Sequence, residues 1–277
     1  MNAVSQAAAV PRAAPAVPPA STAVPRTVSS LRIFLLESRA EFLRLLRAPS
    51  FAVPTVAFPL MFYVLFGVLL APVHANPDGA RRALASFLVL GTMAPGLFAL
   101  GITLATDRER GLLALKRALP MPRGIYLAAK LAMSMLFAGV VSIMLMTIAA
   151  TVGGVVLGLV QWATLFVLAV LGVVPFCAVG LLVGALARAS AAPAVLNLIY
   201  LPMSFLSGLW VPLTFLPHSI ARLAPLWPSW HLAQIAWVVA GAGDRAATGA
   251  HVLVLAAISA ACVAAARRAL GRARWGT

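Results

Sequence analysis

The chain has 277 residues, of which 62% are hydrophobic and only 27 are charged, 21 basic and 6 acidic, and its mean hydropathy is +1.01. About a quarter of the residues of a soluble domain are charged, so this composition excludes one and specifies an all-α polytopic membrane protein with room for about six spans of about 20 residues each. The formal charge of +15 is no nucleic-acid footprint, because no soluble basic module exists to carry one, and no nucleic acid is expected as a partner.

Residues 1–28 are an Ala/Pro/Val/Ser tail, too rich in proline for a helix and lacking the basic-then-apolar order of a secretory signal. They are expected to form a disordered cytoplasmic tail. Residues 29–48 read as an interfacial amphipathic helix. At 100° per residue, Leu31, Phe34, Leu35, Ser38, Phe42, Leu45 and Leu46 share one arc, with Arg32, Glu37, Arg39, Glu41, Arg44 and Arg47 outside it. Ser29 or Ser30 can cap its start, and Pro49 marks its end.

Residues 49–270 form the transmembrane domain, with apolar runs at 51–70, 83–106, 126–160, 164–186, 191–211 and 251–266. The third run exceeds a bilayer and is expected to project from it. The last is short and must begin near Ala246 or sit in a locally thinned bilayer. With the N-terminus inside, 17 of the 21 basic residues fall in inner segments, including Lys130, Arg188 and the basic cytoplasmic tail at 271–277. That bias supports six spans with both termini cytoplasmic. Arg81 and Arg82 dissent, and are expected to reach the outer headgroups. Residues 208–237 carry four prolines and four tryptophans, which predicts outer re-entrant or interfacial helices before the last span.

Catalytic patterns are absent. No phosphate-cradling G-x-x-x-x-G-K-[ST] occurs, so the chain does not hydrolyse ATP alone. The DGARR stretch beginning at Asp78 resembles the start of a membrane phosphatidyltransferase motif but lacks the further aspartates. Ser207 and His251 are the only Ser/His pairing for an intramembrane protease, without the glycine such a motif needs. His74, His218 and His231 have no carboxylate neighbour, and Cys177 and Cys262 read as buried free thiols. Spans this poor in ionisable groups argue against a proton relay. Gly154 with Gly158, and Gly180 with Gly184, have the GxxxG spacing of close helix packing, which chance also yields in a chain rich in small residues.

Against this background, seven charges crowd into residues 107–124. Positive-inside bias accounts for the bases, yet Asp107 and Glu109 precede spaced leucines that end at Lys116-Arg117 and are stopped by Pro120 and Pro122. Acids first and bases last match a helix dipole, which predicts a short extramembrane helix whose leucines need a partner protein to bury them.

These residues carry a resemblance. TDRERGLLALKRALPMPRGIYLAAKL is similar to the loop between the second and third spans of ABC-2 type transporter permeases, through Glu109, Arg110, Gly111, Leu113, Pro120 and Pro122. LPMSFLSGLWVPLTFLPHSIARLAPLWPSWHL resembles that family's fifth span and outer re-entrant stretch, through Pro202, Ser207, Gly208, Pro212, Leu216, Pro217, Pro225 and His231. Leu112 departs from the pattern, where many members have a small polar residue.

The resemblance implies a non-enzymatic permease subunit in a bacterial inner membrane, surrounded by lipid and exporting a hydrophobic or amphiphilic compound. A second permease, identical or paralogous, would complete the path. A separate ATPase subunit, holding ATP and Mg, would dock at Asp107, Glu109, Arg110, Gly111, Leu113, Leu115, Lys116, Arg117 and Pro120, with Arg188 as a smaller contact. Cargo contacts would lie on the first and fifth spans, at Phe62, Tyr63, Phe66, Asn197, Tyr200, Met203 and Phe205. The competing reading is a membrane scaffold or immunity protein that binds a partner without transport.

Overall fold

A computed structural model describes residues 29–70, 76–113, 115 and 124–272. The tail at 1–28, Lys116, Arg117, Pro120 and residues 273–277 lie outside the described residues. Among the described residues every regular element is helical. Helix α1 (Ser30–Leu46) precedes α2 (Pro49–Phe62), which continues as a π-helix over Tyr63–Leu69. Helix α3 (Pro77–Ala94) passes through a π segment at Pro95–Ala99 into α4 (Leu100–Glu109). Then come α5 (Ile125–Thr151), α6 (Leu159–Leu171), α7 (Val173–Leu186), α8 (Ala192–Leu206), the short α9 (His218–Ala221), α10 (Pro228–Val239) and α11 (Thr248–Arg272).

Among the described residues, five helical stretches are long and apolar enough to cross a membrane: Ala52–Leu69, Pro77–Glu109, Ile125–Thr151, Leu159–Leu186 and Thr248–Gly271. The fifth apolar run of the sequence forms a shorter helix, Ala192–Leu206. The last run, short by composition, is a helix of 25 residues starting at Thr248. The third ends at Thr151, well before the limit of its apolar run at residue 160.

The α3–α4 helix is the axis of the bundle, with 89% of its most apolar window buried. Asn76 starts it by accepting the Gly79 amide at 3.0 Å, with Pro77 in the first turn, where its missing N–H costs nothing. Pro95 cannot donate within the helix, and the ladder widens there into a π turn. The Pro95 carbonyl accepts from the buried Ser134 hydroxyl of α5 at 3.1 Å.

Glycine sets the crossing of α4 and α7. A Cβ at Gly180 would lie 2.6 Å from the Leu97 carbonyl oxygen, and one at Gly184 would lie 2.6 Å from that of Gly101. Gly96 and Gly101 face the same seam from the other side. The two helices thus meet backbone to backbone. Gly154 and Gly158, with the same spacing, fall in the connection between α5 and α6 instead.

Arg81 and Arg82 are held at the end of the bundle opposite α1. Arg81 Nε donates to the Val156 carbonyl at 3.2 Å, and Arg82 lies 4.1 Å above the Trp237 ring, whose Nε1 donates to Ser86 at 2.9 Å. Helix α10 packs against α3 and α11. Its Ser229 hydroxyl meets those of Ser207 and the Met203 carbonyl, while Gln161 reaches the Val239 carbonyl at 3.2 Å. Ser207 and His251 do not pair: His251 Nδ1 lies 2.9 Å from His231 Nδ1, and Trp230 packs edge-on against both rings. His231 Nε2 donates to the Pro225 carbonyl, which leaves its Nδ1 to accept from His251. Cys177 is buried and Cys262 half-buried, both as free thiols.

Candidate functional site

The charged side chains of α1, α4 and the start of α5 converge at one end of the bundle. Glu41 and Arg44 are three apart on α1, Thr103 and Asp107 four apart on α4, and Tyr126 and Lys130 four apart on α5, so each helix presents its pair on one face. Lys130 Nζ sits 2.8 Å from Glu41 Oε1, 2.9 Å from Thr103 Oγ1 and 3.3 Å from Asp107 Oδ2. Arg44 Nη1 donates to Asp107 Oδ1 at 3.0 Å, and the Tyr126 hydroxyl donates to Asp107 Oδ2 at 2.7 Å.

Asp107 is 1% exposed, Lys130 3% and Glu41 5%. Charges this buried persist only when paired and hydrogen-bonded, and here two carboxylates face two cations. Arg44 is the open member, with 38% of its side chain exposed. Burial alone would lower its pKa, but the adjacent Asp107 carboxylate, by hydrogen bond and charge, and Glu41 behind it hold it above the ordinary value.

The next two residues clamp a second turn. The Arg108 guanidinium donates to the Ala185 carbonyl and, at 2.6 Å, to the Ala187 carbonyl, capping the C-terminus of α7, where unpaired carbonyls and the negative dipole end favour a cation. Glu109 Oε1 accepts the Ala189 amide at 2.8 Å, one residue beyond Arg188. Glu109 is thereby bonded to the residue next to Arg188.

One sequence expectation needs correction. Asp107 and Glu109 do not open an extramembrane helix; they lie in the last turn of α4, which runs to Glu109 with Arg110 as its C-cap. Gly111 then adopts φ +71, a left-handed conformation open to glycine and costly for other residues, and the chain re-enters helix at Leu112 and Leu113. Leu113 packs against the apolar cluster of Leu100, Leu104 and Tyr126. Leu115 is 60% exposed, and Arg110 and Gly111 are exposed too.

A cavity of about 520 Å³ lies beside the charged cluster, bounded by α2, α4 and α8. Of the residues expected to contact cargo, Asn197 and Tyr200 line it, along with Phe58, Phe98, Ile102 and Arg44. Phe62 stacks with Phe66 and packs against Trp210, and Phe66 lines a second cavity of about 410 Å³ at the opposite end. Tyr63 and Met203 are core residues, each 1% exposed, while Phe205 is 43% exposed on the outside of α8.

Sequence reasoning passed over Glu41, Thr103, Tyr126 and Lys130. Lys130 could have been found: an ionisable residue five positions into an apolar run demands a buried partner.

The sequence model of the family "ABC-2 type transporter" matches residues 33–236, which takes in most of α1, the charged cluster, both clamped turns and most of α10. The chain is also similar to a protein of Bacillus subtilis (strain 168) named "Putative transport permease YvfS", with 26% identity over 226 residues, covering 80% of this chain and 90% of the relative. With a family match over most of its length, this chain belongs to the ABC-2 type transporters and is a transport permease rather than an enzyme.

Proposed function

We propose that the chain is the membrane-spanning subunit of an ATP-driven exporter of a hydrophobic or amphiphilic compound, working with a separate ATPase subunit that holds ATP and Mg and with a second permease subunit. The charged end of the bundle faces the cytoplasm, as positive-inside bias requires, in the inner membrane of a bacterium. Helix α8 serves as the fifth crossing, with residues 208–237 re-entrant on the outer side, and α11 is the sixth.

The observation that carries this reading is the junction at Asp107 to Glu109. Asp107 is bonded to α1 and α5, Arg108 to the end of α7 and Glu109 to the turn before α8. A push on the adjoining segment 110–115 therefore reaches four other elements as a rigid-body motion. Arg110, Gly111 and Leu115 are the exposed docking residues, and Lys116, Arg117, Pro120 and Arg188 complete the docking set. Asp107 and Leu113 support the segment from within, and Glu109 ties it to the turn before α8 at the surface. Asn197 and Tyr200 contact cargo on the charged-end half, and Phe62, Phe66 and Phe205 line its way toward the outer side around Tyr63 and Met203.

The test is affinity purification of the chain in mild detergent, with mass spectrometry of co-eluting proteins, for wild type and Leu115→Asp. An ATPase with a P-loop that accompanies wild type and is lost from the equally stable variant supports the reading. Absence of an ATPase from both overturns it and favours a non-transporting scaffold.

A further inference from the structure

The cavity at the charged end has a chemistry that narrows the cargo. Its walls are mainly apolar, from Phe58, Phe98, Ile102 and Leu201, and no carboxylate lines it among the described residues. It extends along α3–α4 from Ala94 to Thr106, about 18 Å of helix at about 1.5 Å per residue. Its volume is in the range of small-molecule sites, about 300–1,000 Å³. Arg44 stands at the charged end of this apolar slot.

The guanidinium is only partly committed. Nη1 holds Asp107, whereas Nε and Nη2 have no hydrogen-bond partner among the described residues. Those two edges offer the fork that matches a carboxylate or phosphate. If Arg44 turns toward a ligand, Asp107 keeps the Tyr126 hydroxyl and the Lys130 ammonium, and Glu41 keeps Lys130. The cluster therefore tolerates engagement of Arg44 from the cavity. An amine headgroup would meet like charge there, and a headgroup without acceptors would leave the free donors desolvated and unpaired.

We propose that this cavity is a binding site for an amphiphile with a small anionic headgroup, carboxylate or phosphate, held by Arg44, with its apolar chain between Phe58, Phe98, Ile102 and Tyr200. The proposal deepens the exporter reading by naming the cargo class, and rests on that reading only for calling the ligand cargo. Arg44 belongs at once to the cavity wall and to the Asp107 junction, so an occupied site is felt at the root of the coupling segment.

The test is photo-crosslinking of the purified full chain in non-ionic detergent with a diazirine-bearing dodecanoic acid, against the matching alcohol, with peptide mapping. The expected result is labelling near Phe58 and Tyr200 at least about tenfold stronger with the acid, and competition by dodecyl phosphate but not by inorganic phosphate. Arg44→Gln should bring acid labelling down to the level of the alcohol, and Arg44→Lys should restore part of it. Because Arg44→Gln also touches the ion cluster, Ile102→Trp is the second variant: it adds bulk to the slot, replaces none of those charges and should abolish labelling by the acid. Equal labelling by acid and alcohol, acid labelling unchanged in either Arg44→Gln or Ile102→Trp, or competition by inorganic phosphate alone overturns the proposal. So does an unlabelled cavity in a chain that runs as a dimer, which would mean that a second copy fills it. The assay needs no ATPase. Labelling without a co-purifying ATPase would sink the exporter reading and leave the site; an ATPase without labelling would do the reverse.

Discussion

Lys130 of α5 and Glu41 of α1 meet at 2.8 Å with their side chains 2% and 6% exposed, 89 positions apart in sequence. This contact, shared with Asp107, fastens the amphipathic helix to the bundle. Breaking one member of a buried ion group leaves its partner charged and unpaired, which costs about 3–5 kcal/mol. Lys130→Met is expected to lower the melting temperature of the purified chain sharply, because two carboxylates lose their shared ammonium. In Glu41→Leu/Lys130→Met the loss should be well below the sum of the single losses. Thermal unfolding of the four proteins in one detergent measures that coupling; additive losses would mean that the pair does not interact.

The glycine seam gives a sharper steric prediction. At Gly180 an added methyl would lie 2.6 Å from the Leu97 carbonyl oxygen and 2.9 Å from that of Gly96, both backbone atoms of a buried helix that cannot turn aside. Gly180→Ala is expected to destabilise the chain by about 1–3 kcal/mol, as overpacking does. At Gly249, where no atom lies within 4 Å of an added Cβ, alanine should be neutral or stabilising through helix propensity. Size-exclusion profiles before and after heating compare the two, and equal behaviour would refute the seam.

How far these features could be read from the sequence differs from one to the next. The helical runs and their order are visible because apolar length alone determines them, and each of the six expected runs holds a helix, with the third ending early and the fifth shorter than a span. Spacing could not tell Gly180 and Gly184 from Gly154 and Gly158, since a GxxxG match does not say whether a second helix lies opposite. The helical wheel separated Glu41 and Arg44 from the apolar arc of α1, but that face is covered by α4 and α5 rather than by water alone. Partner identity at 63 and 89 positions of separation is a property of the fold, not of local pattern. The boundary of α4 was missed because Asp107 and Glu109 suit a helix start by charge, while Gly111 and the clamps made by Arg108 and Glu109 determine where the helix ends.

The clamp at Glu109 predicts local dynamics. Its carboxylate accepts the Ala189 amide at 2.8 Å, and with Arg108 it pins the turn between α7 and α8. Glu109→Gln replaces a charged acceptor by a neutral one, a weaker bond by roughly half. Amide exchange in residues 187–192 is expected to accelerate several-fold, with α5 unchanged. Hydrogen exchange read by mass spectrometry checks this, and unchanged protection in that peptide would mean that the turn is held without Glu109.

Leu113 and Leu115, two residues apart, are expected to respond in opposite ways. Leu113 packs against Leu100, Leu104 and Tyr126, next to the hydroxyl that holds Asp107, so Leu113→Asp places an unpaired charge against the core. That variant should lose several degrees of melting temperature even when the chain is purified alone. Leu115 is 60% exposed, so Leu115→Asp should melt like wild type within about 0.5 kcal/mol, as surface substitutions do. What it should lose is partner capture, because a leucine exposed beside a charged, clamped junction stabilises nothing until another surface covers it. Melting curves and co-purification for both variants separate the roles: a stable Leu115→Asp that still retains its ATPase would move the docking surface away from this segment, and a stable Leu113→Asp would remove that leucine from the support of the junction.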